Sequence, residues 1–281
     1  MDIHFTCVQC AKCCHDMKIP LTVAEAIRWL HRGHQVQLLF EASPWPAGGF
    51  DENLHAAHFK RRSFAALSGS MPARIVVILV ANFTGACPNL MADRRCGIYA
   101  DRPLVCRIYP AEINPFVVFQ QEAKVCPPEA WATDHPVLQR DGVLIDPAVL
   151  RDVRRSRDTD AADAEVKRRL CVKLRMSDVA FVHEAMLIHS PPPDLLLSAL
   201  LAAVAGDDGE RDPGNWRFVS DRQSSLDRVA MAGGIALNHR NAKRKRYQYV
   251  PFARQPLFDP YAAVPAVSAE NCAGGAANTD C

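Results

Sequence analysis

Residues 5–14 read Phe5-Thr6-Cys7-Val8-Gln9-Cys10-Ala11-Lys12-Cys13-Cys14. The two-residue gaps let the sulfurs of Cys7, Cys10 and Cys13 curl around one centre, as in zinc knuckles and ferredoxin-type iron–sulfur loops. Three thiolates leave such a centre one ligand short, so the fourth must come from elsewhere in the chain. Adjacent side chains point in different directions, so one of Cys13 and Cys14 is left for a second metal or a bridging role. This run therefore predicts a metal site.

A second set of cysteines follows at wider spacing, at positions 87, 96, 106 and 126. A proline follows the first and the last of them, which fixes the backbone and shields the sulfur. Arg102 and Arg107 flank Cys106, and guanidinium N–H groups beside thiolates offset negative charge and tune a metal or cluster. The predicted metal ligands are Cys7, Cys10, Cys13, Cys14, Cys87, Cys96, Cys106 and Cys126.

The compartment favours metal binding over disulfides as the use of the eleven cysteines. The first residues carry neither the basic region nor the apolar core of a secretory signal, and no apolar run reaches the ~18 residues of a membrane span. We therefore expect a cytoplasmic protein outside the membrane, and in the reducing cytosol structural disulfides are rare. Three cysteines stand apart from both sets and are interpreted as ordinary thiols: Cys171, Cys272 and Cys281.

The overall composition is that of an ordinary globular protein. The chain has 281 residues, is 23% charged and has a formal net charge of +2. These values exclude a disordered, a collagen-like and a strongly basic histone-like chain. The stretch 238–254 is basic and interleaved with aromatic residues, which is compatible with a nucleic-acid patch. The near-zero total charge argues against nucleic acid and favours a solvated basic surface.

Residue periodicity and turn signals predict the secondary structure. Thr22 to Glu25 form a capping box, and helical spacing continues to Leu38. The β-branched run 74–80 is typical of a buried strand. The other predicted elements are a loop at 43–49, loop and turns over 87–110, a partner strand at 117–120, and helices over 161–175, 177–188 and 195–205.

Together these elements predict an α+β fold. A small metal-organised N-terminal module, with a short β-sheet and long loops, would span residues 1–132. A mainly helical C-terminal region would span residues 133–258, followed by a disordered tail over 259–281, where the sequence loses its periodicity.

The two cysteine sets, taken together, resemble one protein family. Residues 3–128 are similar to the CxxCxxCC family of zinc- or iron-chelating proteins, the bacterial cysteine-cluster proteins called YkgJ-type. That family resembles flagellin lysine N-methylases, for which an iron–sulfur cluster is implicated. The resemblance thus implies an iron–sulfur centre and, by extension, methyl transfer to a protein or peptide. It is carried by residues 5–14, Cys87-Pro88, Cys96-Gly97-Ile98-Tyr99 and Arg102-Pro103-Leu104-Val105-Cys106-Arg107-Ile108-Tyr109-Pro110.

The sequence leaves two choices open. Four thiolates suit a 4Fe–4S cluster or a tetrahedral zinc ion equally well, and the resemblance favours the cluster. The protein is either an enzyme that modifies a protein or peptide at this centre, or a non-catalytic zinc-binding module that supports partner interaction or metal handling. In both cases we expect Arg102, Arg107 and Tyr109 to surround the metal ligands. His15 is an alternative ligand, though eight cysteines already supply enough.

Overall fold

The computed structural model describes residues 2–45, 53–206, 215–241 and 246–252. These ranges contain seven α-helices and twelve β-strands. The helices are α1 (Val23–His31), α2 (Leu54–Arg61), α3 (Leu104–Ile108), α4 (Pro147–Ala162), α5 (Ala164–Lys173), α6 (Pro193–Val204) and α7 (Gln223–Met231). The strands are β1 (Asp2–His4), β2 (Ile19–Leu21), β3 (Gln35–Pro44), β4 (Phe64–Ser68), β5 (Met71–Asn82), β6 (Val137–Arg140), β7 (Val143–Leu144), β8 (Asp178–Phe181), β9 (Ala185–His189), β10 (Arg217–Ser220), β11 (Ile235–Asn238) and β12 (Gln248–Pro251).

Nine of the strands form one mixed sheet. Its main path runs β11-β10-β8-β3-β5-β2, with β4 also on β5, β9 on β3 and β12 on β9. Strands β11, β10, β8 and β3 run parallel to one another along this path, whereas β5 is antiparallel to β3. The remaining strands form a separate small sheet in the order β1-β6-β7.

The core lies on the face of the sheet covered by α1, α5 and α6. Every second residue of β3, from Val36 to Ala42, is buried there, as the two-residue period of a strand requires. Leu170 and Leu200 contribute from the helices and are fully buried. Burial of this apolar face stabilises the sheet because it removes whole aliphatic side chains from water.

Helix α1 begins as predicted but ends earlier. The capping box is confirmed, because Thr22 Oγ1 accepts from the Glu25 N–H and Glu25 Oε2 accepts from the Thr22 N–H. The predicted continuation to Leu38 is wrong. Gly33 has φ +78° and stops the helix after His31, and β3 follows. The spacing of the apolar residues is helical up to His31 and is that of a strand from Gln35 onward.

Other elements show where short apolar runs mislead. The buried strand over 74–80 is confirmed within β5, and the helix over 195–205 within α6. The strand over 117–120 is wrong, because this segment is irregular and Val118 is 80% exposed. The helix over 177–188 is also wrong. Residues there form β8 and β9, joined at a turn where His183 has φ +71°.

The mixed α+β class is confirmed, whereas the split into an N-terminal sheet and a mainly helical C-terminal half is not. Strands β8 to β12 come from the C-terminal half, and β8 and β9 pair directly with β3. The domain limits stay a prediction, and the predicted tail at 259–281 lies outside the described residues. No helix in the described ranges is long and apolar enough to cross a membrane.

Candidate metal centre

The sheet brings the two cysteine sets together. Strand β2 follows the first set, strand β5 precedes the second, and the two strands are antiparallel neighbours. Their pairing continues beyond the sheet through an isolated bridge between His15 and Ala86. The Cys87 N–H donates to the Cys14 carbonyl oxygen at 2.7 Å. A sequence separation of more than seventy residues is thus closed by backbone contacts at the edge of the sheet.

The first cysteine run folds into a tight turn. A short 3₁₀ helix spans Lys12–Cys14, and the Cys14 N–H donates to the Ala11 carbonyl at 2.9 Å. Gln9 and Ala11 have φ of +53° and +62°, values that favour glycine. His15 Nδ1 lies 3.0 Å from the Ala11 carbonyl oxygen, so this ring nitrogen is occupied by the backbone.

The second set is carried by a loop and by helix α3. The loop closes through a bridge between Leu90 and Cys96 and through donation from the Gly97 N–H to the Asn89 carbonyl at 2.8 Å. Cys106 lies in α3, and the first N–H of that helix, from Leu104, donates to Glu25 Oε1 at 2.8 Å. The buried Glu25 carboxylate therefore caps two helices at once, its own and the one that carries Cys106.

Cys126 approaches from a third segment. The Tyr109 hydroxyl accepts from the Val125 N–H at 3.0 Å and donates to the Cys126 sulfur, which lowers the pKa of that thiol against the effect of burial. The Trp131 Nε1–H donates to the Cys126 carbonyl at 3.4 Å, and the Trp131 ring packs on Phe5 at 4.9 Å. Phe5, just before the first cysteines, and Trp131, just after Cys126, are therefore in direct contact.

Cys13 interacts electrostatically with thiols of both sets. The Cys14 S–H donates to the Cys13 sulfur and lowers the pKa of Cys13 to about 7, while the same bond raises the pKa of Cys14. Burial, followed by the negative charge of Cys13, raises the pKa of Cys106 to about 12 and that of Cys126 to about 11. Burial also raises the pKa of Cys87, to which Cys96 and Cys13 add. One thiolate thus acts on neighbours from both sets.

The two arginines have different surroundings. The positive charge of Arg102 lowers the pKa values of Cys13 and Cys106, and its guanidinium lies 3.7 Å above the Tyr99 ring. Arg107 donates to main-chain carbonyls instead, from Nε to Arg102 at 3.0 Å and from Nη2 to Ala100 at 2.6 Å. Arg102 therefore acts on the thiols directly, whereas Arg107 holds the backbone that presents Arg102.

The donor chemistry fits a soft metal. The two sets supply eight free thiols, and thiolates are the ligands that zinc, copper(I) and iron–sulfur clusters take. As the side chains stand, however, no group of three or more His, Cys, Asp or Glu residues in the described ranges is arranged to hold a metal ion. The thiols must therefore turn toward one another to bind a metal, and which of the eight are ligands stays a prediction.

Sequence reasoning missed two residues of this site, Glu25 and Asn89. The capping box pointed to Glu25, but only as part of its own helix. Nothing in the spacing signals its bond to Leu104, which is 79 positions away. The described part of the basic stretch 238–254 lies outside this site. There Tyr247 is buried and Tyr249 stacks on His239 at 4.2 Å. Cys171 is fully buried in the core, and Cys272 and Cys281 lie outside the described residues.

Comparison with known proteins identifies the module. The sequence model of the CxxCxxCC family, described as a "putative zinc- or iron-chelating domain", matches residues 6–127. No curated protein and no solved structure matches the chain. The matched span starts one residue before Cys7 and ends one residue after Cys126, so it contains all eight thiols of the site. Residues 6–127 of the chain therefore match the CxxCxxCC family model.

Proposed function

We propose that this chain binds an iron–sulfur cluster through cysteines of both sets. The observation that carries the proposal is the contact between the two sets, where the Cys87 N–H donates to the Cys14 carbonyl oxygen at 2.7 Å. The charge of Cys13 accordingly acts on Cys14, Cys87, Cys106 and Cys126. In a metal-free protein such a gathering makes ionisation of the thiols unfavourable, because each thiolate raises the pKa of the next thiol. A metal reverses this relation, since bound thiolates are neutralised by its positive charge.

Two features favour a cluster over a single zinc ion. A structural zinc site takes four protein ligands at Zn–S distances of about 2.3 Å, so its sulfurs lie close together. The two sets here supply eight thiols, which is twice the number that one such zinc ion takes. A cluster holds its cysteine sulfurs farther apart, because several iron and sulfide atoms lie between them.

The residues around the thiols suit a negatively charged centre. An iron–sulfur cluster supplies one-electron transfer, with a potential set by charge, hydrogen bonds and exposure. Arg102 places a cation beside Cys13 and Cys106, which favours their thiolates. Tyr109 donates to Cys126 and orients it. Action on a protein or peptide, which the family resemblance implies, and a cytoplasmic location stay predictions.

The test is to purify the full chain without oxygen and to measure iron, sulfide and zinc together with the visible spectrum. We expect iron and sulfide in equal amounts and a broad thiolate-to-iron charge-transfer band in the visible spectrum. Cys13→Ser should abolish both signals. Cys171→Ala is the matched control, because Cys171 is buried in the core of the sheet and should leave metal content unchanged.

The other outcomes are equally informative. If the protein contains zinc alone and Cys13→Ser loses this zinc, the protein is a zinc-binding module and the proposed cluster is wrong. A protein that takes up neither metal, even after reconstitution with iron and sulfide, would refute the proposed function.

A further inference from the structure

Asn89 places a hydrogen-bond donor at the thiol site without an acceptor. Its side-chain nitrogen Nδ2 is buried and makes no hydrogen bond of normal geometry to the described residues. A buried amide N–H that lacks an acceptor is unfavourable, because it has lost its hydrogen bond to water. Native proteins leave few such groups, and each one requires a reason.

The backbone fixes where this amide lies. Leu90 N–H donates to the Cys87 carbonyl at 2.9 Å, which closes a turn around Asn89. The Asn89 carbonyl in turn accepts from Gly97, directly after Cys96. A Cβ atom at position 97 would lie 3.3 Å from this same carbonyl oxygen, so the two strands of the loop are in close contact. Asn89 therefore lies in a tight loop between two candidate ligands.

The nearest cysteine along the chain is Cys87, two positions before Asn89 and on the same turn. Its thiolate is the form that binds metal. A neutral thiol is a weak acceptor, whereas a metal-bound thiolate or a bridging sulfide carries the charge that an N–H donor needs.

We infer that Asn89 is a positioning residue of the metal centre, whose side-chain amide donates an N–H···S hydrogen bond to the metal-bound sulfur of Cys87 or to a sulfide beside it. This inference rests on the proposed function, because the negatively charged sulfur that accepts the bond forms only when metal binds. Hydrogen bonds to cluster sulfurs stabilise the more negative, reduced state and so raise the reduction potential. They also hold the ligand in place and slow its exchange.

The test compares metal release from three variants of the full-length protein. Asn89→Leu keeps the size of the side chain and removes its donors, and Asn89→Thr keeps one hydroxyl donor. Asn215→Leu makes the same change at an exposed site before β10, far along the chain from the cysteines. Each protein is loaded with metal and mixed with excess chelator, and the loss of the thiolate–metal absorption is followed in time. Thermal unfolding of the metal-free proteins checks that all variants fold.

We expect Asn89→Leu to release metal about tenfold faster than the unaltered protein, as is typical for loss of a partner of a metal ligand. Asn89→Thr should fall between the two, and Asn215→Leu should match the unaltered protein. Equal release rates for Asn89→Leu and the unaltered protein would overturn the inference but leave the proposed function intact. Failure of the unaltered protein to bind metal would instead refute the proposed function.

A second measurement needs no substitution at position 89. In the cadmium-loaded protein, the side-chain amide protons of Asn89 should exchange with solvent more slowly than in the metal-free protein, because one of them is hydrogen-bonded to sulfur. Unchanged exchange on loading would also overturn the inference, even if the Asn89 variants failed to fold.

Discussion

The nine-stranded sheet and the thiol site are held in different ways. Strands β3 and β5 pair continuously from Gln35↔Asn82 to Pro44↔Ala73, over residues that are mostly buried on at least one face. The thiol site has isolated bridges and single hydrogen bonds, and its cysteines are half-buried or exposed. Apolar burial alone is enough to account for the sheet. It is not enough for the loops, which depend on their contacts with the sheet edge and, under the proposed function, on metal.

Backbone conformation sharpens this contrast. Seven residues other than glycine have positive φ in the described ranges, and four of them lie in the cysteine loops: Gln9, Ala11, Asp16 and Arg94. Such conformations cost about 1–3 kcal/mol each where nothing local compensates, and they cluster at functional sites. Most of these conformations thus lie in the cysteine loops, where metal binding would offset their cost under the proposed function.

The largest expected effect comes from the core. Phe40 is fully buried in the middle of β3, so Phe40→Ala should lower the free energy of unfolding by about 3–5 kcal/mol. The loss should be the same with and without metal, as measured by denaturant titration of both forms. Val118→Ala, at a site that is 80% exposed, is the control and should change little. A much larger loss in one form would show that the two regions are coupled.

Alkaline pH should destabilise only the metal-free protein. The pKa of Cys106 is raised to about 12, mainly by burial, so the folded chain keeps a proton that the unfolded chain releases at lower pH. Stability is then complete below the pKa of an ordinary thiol, about 8.5, and is lost as the pH rises toward 12. The slope should reach about 1.4 kcal/mol per pH unit for one such thiol.

The metal-loaded protein lacks this dependence, because its ligands are already thiolates. Denaturant titrations of both forms across this pH range measure the difference, and Cys106→Ala should flatten the curve of the metal-free form. An equal alkaline loss in the loaded form would contradict Cys106 as a ligand.

Glu25 joins the two regions, so its removal should affect both. Glu25→Ala leaves the Leu104 N–H buried without an acceptor and should cost about 1–3 kcal/mol. It should also speed metal release, because α3 carries Cys106. Thr22→Ala removes the cap of α1 but keeps the bond to Leu104, so it should cost about 1 kcal/mol and leave metal release unchanged. Equal rates of metal release from Glu25→Ala and Thr22→Ala would show that the bond between Glu25 and Leu104 has no effect of its own on the metal centre.

The smallest effects are expected at the arginines. Arg102→Gln and Arg107→Gln should each change stability by only about 0–1 kcal/mol, as is usual for partly exposed charges. Arg102→Gln should lower the reduction potential of a cluster, because a cation beside Cys13 and Cys106 is lost. Arg107→Gln should leave the potential nearly unchanged, because Arg107 donates to carbonyls. Equal shifts in voltammetry would show that both act on the thiols.

The sequence predicted the parts of the fold that local rules determine. The capping box at Thr22 marked the start of α1, and the β-branched run 74–80 marked β5. The segment 177–188 was misread because a short apolar run fits a buried helix and a buried strand equally well. The turn at His183 that separates β8 from β9 contains neither glycine nor proline, so no breaker signalled it.

For the metal centre, chemistry could be predicted and geometry could not. Cysteine spacing was sufficient to select the eight candidates, because few other roles require such a run. That Cys14 meets Cys87 depends on the pairing of β2 with β5, and sequence does not reveal which strands pair. Asn89 was missed for the same reason, since its importance lies in a buried nitrogen that only coordinates reveal.

Strand β1 pairs with β6, and Arg140 forms an ion pair with Asp2 across 138 positions of sequence. During synthesis, the thiols of residues 7–14 therefore leave the ribosome long before the strand that anchors their leading segment exists. A metal ion that arrives early meets a run without its partners Cys87, Cys106 and Cys126. Under the proposed function, complete loading thus requires that at least half of the chain has been translated and that β6 has docked.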